Sequence, residues 1–206
     1  QRPSDPAGPK DLRGHPHRDA FVRSMVSEAR QLLDKYKTLR PVTEDDVHEA
    51  RRSDPDHVRV VPSMWVLVSK YHANGAFDRT KARLVACENN SKFHVPDTWS
   101  PTVALSSVRL LLDIAAHFGA HLLELDVSGA YLLGKRSSRS RVFVRLPPNL
   151  DLVRDLWDDP RLRYADADGK KMFFEADTNY YGLQDAGKIW YECFREWITS
   201  PGMNFN

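Results

Sequence analysis

Cysteine is scarce in this chain of 206 residues, with Cys87 and Cys193 far apart and no second pair beside either. That excludes a disulfide framework and a cysteine-rich zinc site, which need several cysteines at short spacings, and it fits a reducing compartment. Charge of one sign is lacking too. Thirty Lys and Arg against 28 Asp and Glu leave a formal net charge of +2, so any basic footprint for a polyanion must be local. Long apolar runs are missing: none approaches the length that spans a bilayer, and the N-terminus lacks the charged-then-apolar pattern of a secretory signal. The expectation is a soluble protein of cytoplasm or nucleus with no membrane partner.

What is present is ordinary for a folded protein: 41% apolar and 28% charged residues, enough for one core or a compact pair of subdomains. Residues 1–18 are rich in Pro, Gly, His and charge but poor in large apolar side chains, so a flexible lead is expected there, followed by a folded unit over 19–206. His15 and His17 have no Cys or further His nearby and read as part of that solvated lead. Phe21, Val22, Met25, Val26, Ala29, Leu32 and Leu33 recur at helical spacing and predict an amphipathic helix to about Tyr36. Thr43, followed by Glu44, Asp45 and Asp46, reads as an N-cap with acids in the first turn of a short helix that Ser53, Asp54 and Pro55 close.

The β-branched run from Arg59 to Tyr71, the Asn74-Gly75 pair, and the segment Ala76 to Ala86 predict a hairpin. Alternation then places Arg79, Lys81 and Arg83 on one face. Such a face suits phosphates, although a solvated face is the commoner fate of such charges. Ser106 is a candidate N-cap for a helix through Phe118, which Gly119 ends. Lys135, Arg136, Arg139 and Arg141 make a basic connection that reads as a solvated loop or a phosphate contact. Val142 to Val144 predicts a strand that Pro147 and Pro148 stop, and Asp166 to Gly169 predicts a hairpin turn with Lys171 to Glu175 returning. Trp190, Cys193, Phe194, Trp197 and Ile198 share one face of a last helix, from about Gly187 to Thr199, and read as core.

The centre of the chain is the alternating run from His121 to Val127, which predicts a strand delivering Asp126 to its end, where Ser128 and Gly129 break the pattern. A carboxylate held there can cap a turn. It can also ligate a divalent ion together with the Val127 carbonyl, and hard oxygen ligands suit magnesium.

Leu125-Asp126-Val127 with Ala130-Tyr131-Leu132 and Gly134 resembles the first polymerase motif of the reverse transcriptases of copia-type (Pseudoviridae) retrotransposons. So do, in that family's order, Val61-Pro62-Ser63-Met64-Trp65-Val66, Lys81-Ala82-Arg83-Leu84-Val85-Ala86, Trp99-Ser100-Pro101-Thr102-Val103 with Ser107 to Leu112, Val142-Phe143-Val144 with Leu146-Pro147-Pro148, and Tyr181-Gly182-Leu183-Gln184-Asp185-Ala186 with Trp190-Tyr191. The ordered set runs from Val61 to about Trp197. The resemblance implies an α+β fold, the fingers and part of the palm of a right-hand polymerase, built of antiparallel strands with packed helices. It implies an RNA-directed DNA polymerase, a nucleotidyltransferase that acts on an RNA template, a DNA primer and deoxynucleotide triphosphates with two magnesium ions.

In that family's pattern Asp126 is the first catalytic carboxylate and, with Val127, a metal ligand. Lys81 and Arg83 lie near the triphosphate, and Tyr131 lies beneath the sugar, although a core aromatic is the alternative for Tyr131. Gly182 and Gln184 stand in a turn expected beside the nucleotide, where glycine lets backbone approach a ligand. Departures from the pattern are Cys87 to Ser91, where a Lys and a Gly of the family's loop are lost, and Gln184 in place of Lys, Asp185 in place of Gln and Gly187 in place of Pro, which remove a cation and add an acid beside the expected phosphates. No aspartate pair of the kind the family carries in a later hairpin follows Trp197, so the chain by itself is expected to be inactive. A nucleic-acid-binding or inactive retroelement remnant is the alternative reading.

Overall fold

The computed structural model describes residues 3–88, 95, 97–136 and 140–201. The calls on Asn89, Asn90, Ser91 and Arg139 lie outside the described residues.

The chain mixes helices with antiparallel and mixed sheets, as an α+β reading expects. Helix α1 (Arg18–Arg30) runs into one π-helical stretch (Gln31–Lys35), where the Tyr36 N–H donates to the Gln31 carbonyl at 2.9 Å. Its stripe of Phe21, Val22, Met25, Ala29, Leu32 and Leu33 is buried, as the helical spacing predicts. The lead is anchored to this body: Leu12 is fully buried, and Asp5 accepts the Ser69 N–H at 2.6 Å.

A four-stranded sheet has the order β1 (Leu39–Thr43), β6 (Met172–Ala176), β5 (Arg141–Arg145) and β2 (Val58–Val61). Only β2 and β5 run parallel. Strand β5 carries an uninterrupted Val142, Phe143 and Val144, all sealed from solvent, which suits a strand covered on both faces. Helix α2 (Glu44–Ser53) covers one face, with Val47 and Ala50 packed on Val42, Phe143 and Phe173. It starts in a capping box formed by Thr43 and Asp46, so the predicted N-cap holds. The hydrogen bonds from Thr43 keep the Asp46 carboxyl below its usual pKa.

The other face joins the core under the ribbon β3 (Ser63–Tyr71) and β4 (Phe77–Ala86). Ser63, Trp65, Leu67 and Ser69 point inward while Met64 and Val66 point out, the period of two that a half-buried strand requires. The hairpin predicted around Asn74-Gly75 is present, with Gly75 at φ +86°. Two predicted pairings differ. Pro62 ends β2 before the ribbon, so residues 58–61 join the larger sheet instead. Strand β6 returns from the Asp166 turn through a single Ala165–Lys171 bridge and pairs with β1 and β5.

Three further expectations are corrected. The predicted helix forms as α3 (Leu105–Phe118), with Gly119 at φ +63° as its stop, but Ala104 rather than Ser106 is the N-cap. The predicted strand over His121 to Val127 is absent. Among the described residues no strand edge pairs with it, and an extended segment becomes a strand only by hydrogen bonding to a neighbour. After the one-turn helix α5 (Asp151–Arg154), helix α6 (Ala186–Ile198) forms, but its apolar face is not core: Trp190, Cys193 and Phe194 are half-buried and Trp197 is exposed, because they border an open apolar groove with Val127 and Leu133. Among the described residues no helix is long and apolar enough to cross a membrane.

Candidate nucleotide cleft

Helix α1, strand β4 and the 126–131 turn enclose a cleft of about 640 Å³. Strand alternation builds one wall. Ala82, Leu84 and Ala86 of β4 are buried, so Lys81 and Arg83 turn outward, toward the cleft. Ser24 of α1 is tied to Thr80 by a 2.5 Å hydroxyl contact, which seats the helix on that strand.

The turn builds the opposite wall. Gly129 has φ +68°, and a Cβ there would overlap the Tyr36 hydroxyl, which donates to the Ser128 carbonyl at 3.3 Å. Helix α4 (Ala130–Leu133) follows and buries Leu132. Asp126, Val127 and Tyr131 therefore stand at the cleft rather than in the core. Tyr131 is 41% exposed, so the core reading of this aromatic is set aside. It meets Tyr181 edge-on at 6.4 Å, and the Arg83 guanidinium lies 5.8 Å from the Tyr181 ring centre.

Electrostatics follow from this crowding. Desolvation first, then the Arg83 and Lys70 charges, lower the pKa of the Lys81 ammonium. Burial pushes the Tyr181 hydroxyl up to about 12, with Glu28 adding to the shift. Lys35, Lys81 and Arg83 beside the acids Glu28 and Asp126, with Tyr131 and Tyr181 as an aromatic pair, line one cleft, and such a lining suits a ligand with several phosphates and a flat or sugar-like body.

Residues 50–206 match the model of the family described as "Reverse transcriptase (RNA-dependent DNA polymerase)". The chain belongs to this family. It is 28% identical over 150 residues to the "Retrovirus-related Pol polyprotein from transposon RE1" of Arabidopsis thaliana, covering 72% of the chain and 9% of that protein. It is 25% identical over 198 residues to the corresponding polyprotein from transposon TNT 1-94 of Nicotiana tabacum, covering 95% of the chain and 13% of the relative. It is 27% identical over 194 residues to the "Transposon Ty1-BL Gag-Pol polyprotein" of Saccharomyces cerevisiae, covering 92% of the chain and 9% of the relative. The chain thus spans about a tenth of the length of these relatives. No solved structure matches it.

In this reverse transcriptase chain the structure gathers Lys81, Arg83, Asp126, Val127 and Tyr131 around one cleft, while Gly182 and Gln184 are placed elsewhere. Gly182, at φ +85°, lets its turn close on β4: a Cβ would collide with the Ala86 carbonyl, and the Ala86 N–H donates to the Tyr181 carbonyl at 2.8 Å. The backbone that this glycine admits is the protein's own. Gln184 donates through its backbone N–H to Glu88 Oε2 at 2.7 Å and accepts the Val95 N–H at 3.4 Å.

The acid gained at Asp185 does not face the cleft cations. It receives Arg59 at 2.8 Å and Arg136 at 2.7 and 3.0 Å, and Arg59 also pairs with the fully buried Glu88 at 2.7 Å. Burial works to raise the Asp185 carboxyl, but Arg136 and Arg59 outweigh it and hold its pKa below the usual value. Arg136 is thus part of a closed ion network, not of a free basic loop.

Sequence reasoning missed Glu28. It lies three residues after Met25 and four before Leu32, on the apolar stripe of α1, and that position was the available signal. Magnesium is the remaining question. Among the described residues no three His, Cys, Asp or Glu side chains come together, so Asp126 and the Val127 carbonyl do not by themselves make a two-ion centre.

Proposed function

We propose that the chain is the fingers and partial palm of an RNA-directed DNA polymerase of the copia type, contributing the nucleotide cleft and one catalytic carboxylate. The observation that carries this reading is that Asp126 and the pair Lys81 and Arg83, distant in sequence, border one cleft. Lys81 and Arg83 take the triphosphate of the incoming deoxynucleotide by charge-assisted hydrogen bonds. Tyr131 stacks under the sugar and meets the position where a 2′-hydroxyl would stand, the group that separates ribo- from deoxyribonucleotides.

Asp126, with the Val127 carbonyl, would be one ligand set for magnesium, and the two ions expected in the complete enzyme would supply Lewis acidity for the primer hydroxyl and the leaving pyrophosphate. Among the described residues no three His, Cys, Asp or Glu side chains gather beside Asp126, so this reading takes the further carboxylates of that centre from outside the described residues. RNA template, DNA primer and deoxynucleotide triphosphates are the partners, met in the cytoplasm or nucleus.

Two measurements test the reading. The chain alone, with magnesium, is expected not to extend a DNA primer on an RNA template; extension that depends on Asp126 would show that the acids described here suffice. The same chain is expected to bind dTTP in a salt-dependent way, with Kd raised at least about tenfold in the Lys81→Ala, Arg83→Ala double variant. Unchanged binding in that variant would remove the cleft from the reading. A non-enzymatic nucleic-acid-binding remnant is the second reading, favoured by the lack of a three-ligand cluster at Asp126 among the described residues. Equal affinity for an RNA–DNA hybrid in the wild type and in that double variant would exclude it.

A further inference from the structure

Glu28 is the one acid on the α1 wall of the cleft. The residue is 8% exposed, and its Oε1 is sealed from solvent with no hydrogen-bond partner. A backbone hydrogen bond with Leu84 serves the carboxyl group, and across the cleft it faces Lys81 and Arg83 of β4. Tyr180 and Tyr181 border it from the turn that closes on β4, and Lys35, Tyr36 and Asp126 stand on the rim. The Arg83 and Lys81 charges act on it through space.

Such a carboxyl has two useful states. Ionised, it competes with any phosphate for the two cations. Neutral, it leaves them to the phosphate and offers a hydrogen-bond donor, and a bound polyanion favours that neutral state because like charges repel. We propose that Glu28 is a positioning residue, the proton-linked counter-charge of the cleft: it draws Lys81 and Arg83 toward α1 and, by taking a proton from solvent, releases them when a triphosphate docks. The exchange moves one proton onto the Glu28 carboxylate and breaks no bond in the ligand. Burial, ahead of the opposing Leu84 hydrogen bond and the Arg83 and Lys81 charges, raises this carboxyl to about 7, so the change falls near neutral pH.

This inference rests on the cleft binding a triphosphate, and the experiment separates the two. Affinity for dTTP and for inorganic tripolyphosphate is measured without metal from about pH 6 to about 9. In the wild type, Kd rises above about pH 7 by up to about tenfold per pH unit, the ceiling for one proton. Glu28→Gln holds the low-pH affinity through that range. The ionisation of the ligand's own terminal phosphate is common to both chains and cancels in the comparison.

Identical slopes in the two chains overturn the role of Glu28 while leaving the cleft in place. Binding of neither probe at any pH overturns both. Should Glu28→Gln not fold, carboxyl carbon NMR on the wild type decides: Glu28 titrates near 7 and moves upward when tripolyphosphate is added, and a titration that stays put overturns the proposal. A carboxyl that only supported the fold would change stability without changing the slope of affinity with pH.

Discussion

On the α1 side of the cleft the apolar residues are inside. Trp65, Leu67, Ala82 and Leu84 of the ribbon close over Met25 and Leu32, while Lys81 and Arg83, alternating with Ala82 and Leu84 on β4, look outward. On the other side, α3 and the segment that follows it obey no such rule. Leu110, Leu111, Ile114 and Phe118 of α3 and Leu122, Leu123 and Leu125 beyond it all stand in solvent, Leu123 at 84% exposure. Both regions have apolar sequences. The difference is that the ribbon has a helix to pack against, whereas α3 buries only Ala115. Apolar composition therefore does not by itself bury a helix; a facing surface does. The cleft lies between a wall that is packed and a wall that leads straight into the exposed segment.

The contrast can be broken experimentally. Trp65→Ala removes a fully buried indole from the packed wall and is expected to cost about 3–5 kcal/mol in denaturant unfolding. A cost below about 1 kcal/mol would show that this wall is no better packed than the other. Arg59→Ala leaves Glu88, fully buried, and Asp185 short of their cation and is expected to cost about 3–5 kcal/mol as well. Replacing Arg59 by Met together with Glu88→Gln is expected to recover part of that loss, because the uncompensated charge is gone.

A smaller and pH-dependent effect belongs to Glu28. Its folded-state pKa is raised from 4.5 to about 7, so the fold binds this proton more tightly than the unfolded chain does. The associated stability is fully present below about pH 4.5, declines as pH rises, and is gone above about pH 7. Thermal unfolding across that window should show the wild type losing stability relative to Glu28→Gln, and a constant difference between the two would refute the linkage. At the small end, Leu123→Ser and Phe118→Ser are expected to shift stability by no more than about 0.5 kcal/mol, because both side chains are already exposed. A loss of several kcal/mol there would mean that the second wall is covered in solution.

Much of the chain was legible without coordinates. The α1 stripe, the Thr43 cap, the hairpin at Asn74-Gly75 and the Gly119 stop depend on residues a few positions apart, and each forms as its local pattern predicts. The strand expected around Asp126 and the buried face expected for α6 did not form, because both needed neighbours that alternation and helical spacing do not specify. Gly182 was read as an approach to a ligand, and it proved to be an approach to Ala86. Asp185 was read as an intruding charge, and Arg59 and Arg136 neutralise it.

By itself the sequence determined the local elements and, through motifs in a fixed order, membership of the reverse transcriptase family, since both are properties of residues near one another along the chain. Only the tertiary structure decided that Asp126 shares a cleft with Lys81 and Arg83, that Glu28 stands in its wall, and that Arg59 and Arg136 bind Asp185. Those proximities arise from how helices and strands pack and where their connections run, and no period in the sequence encodes them.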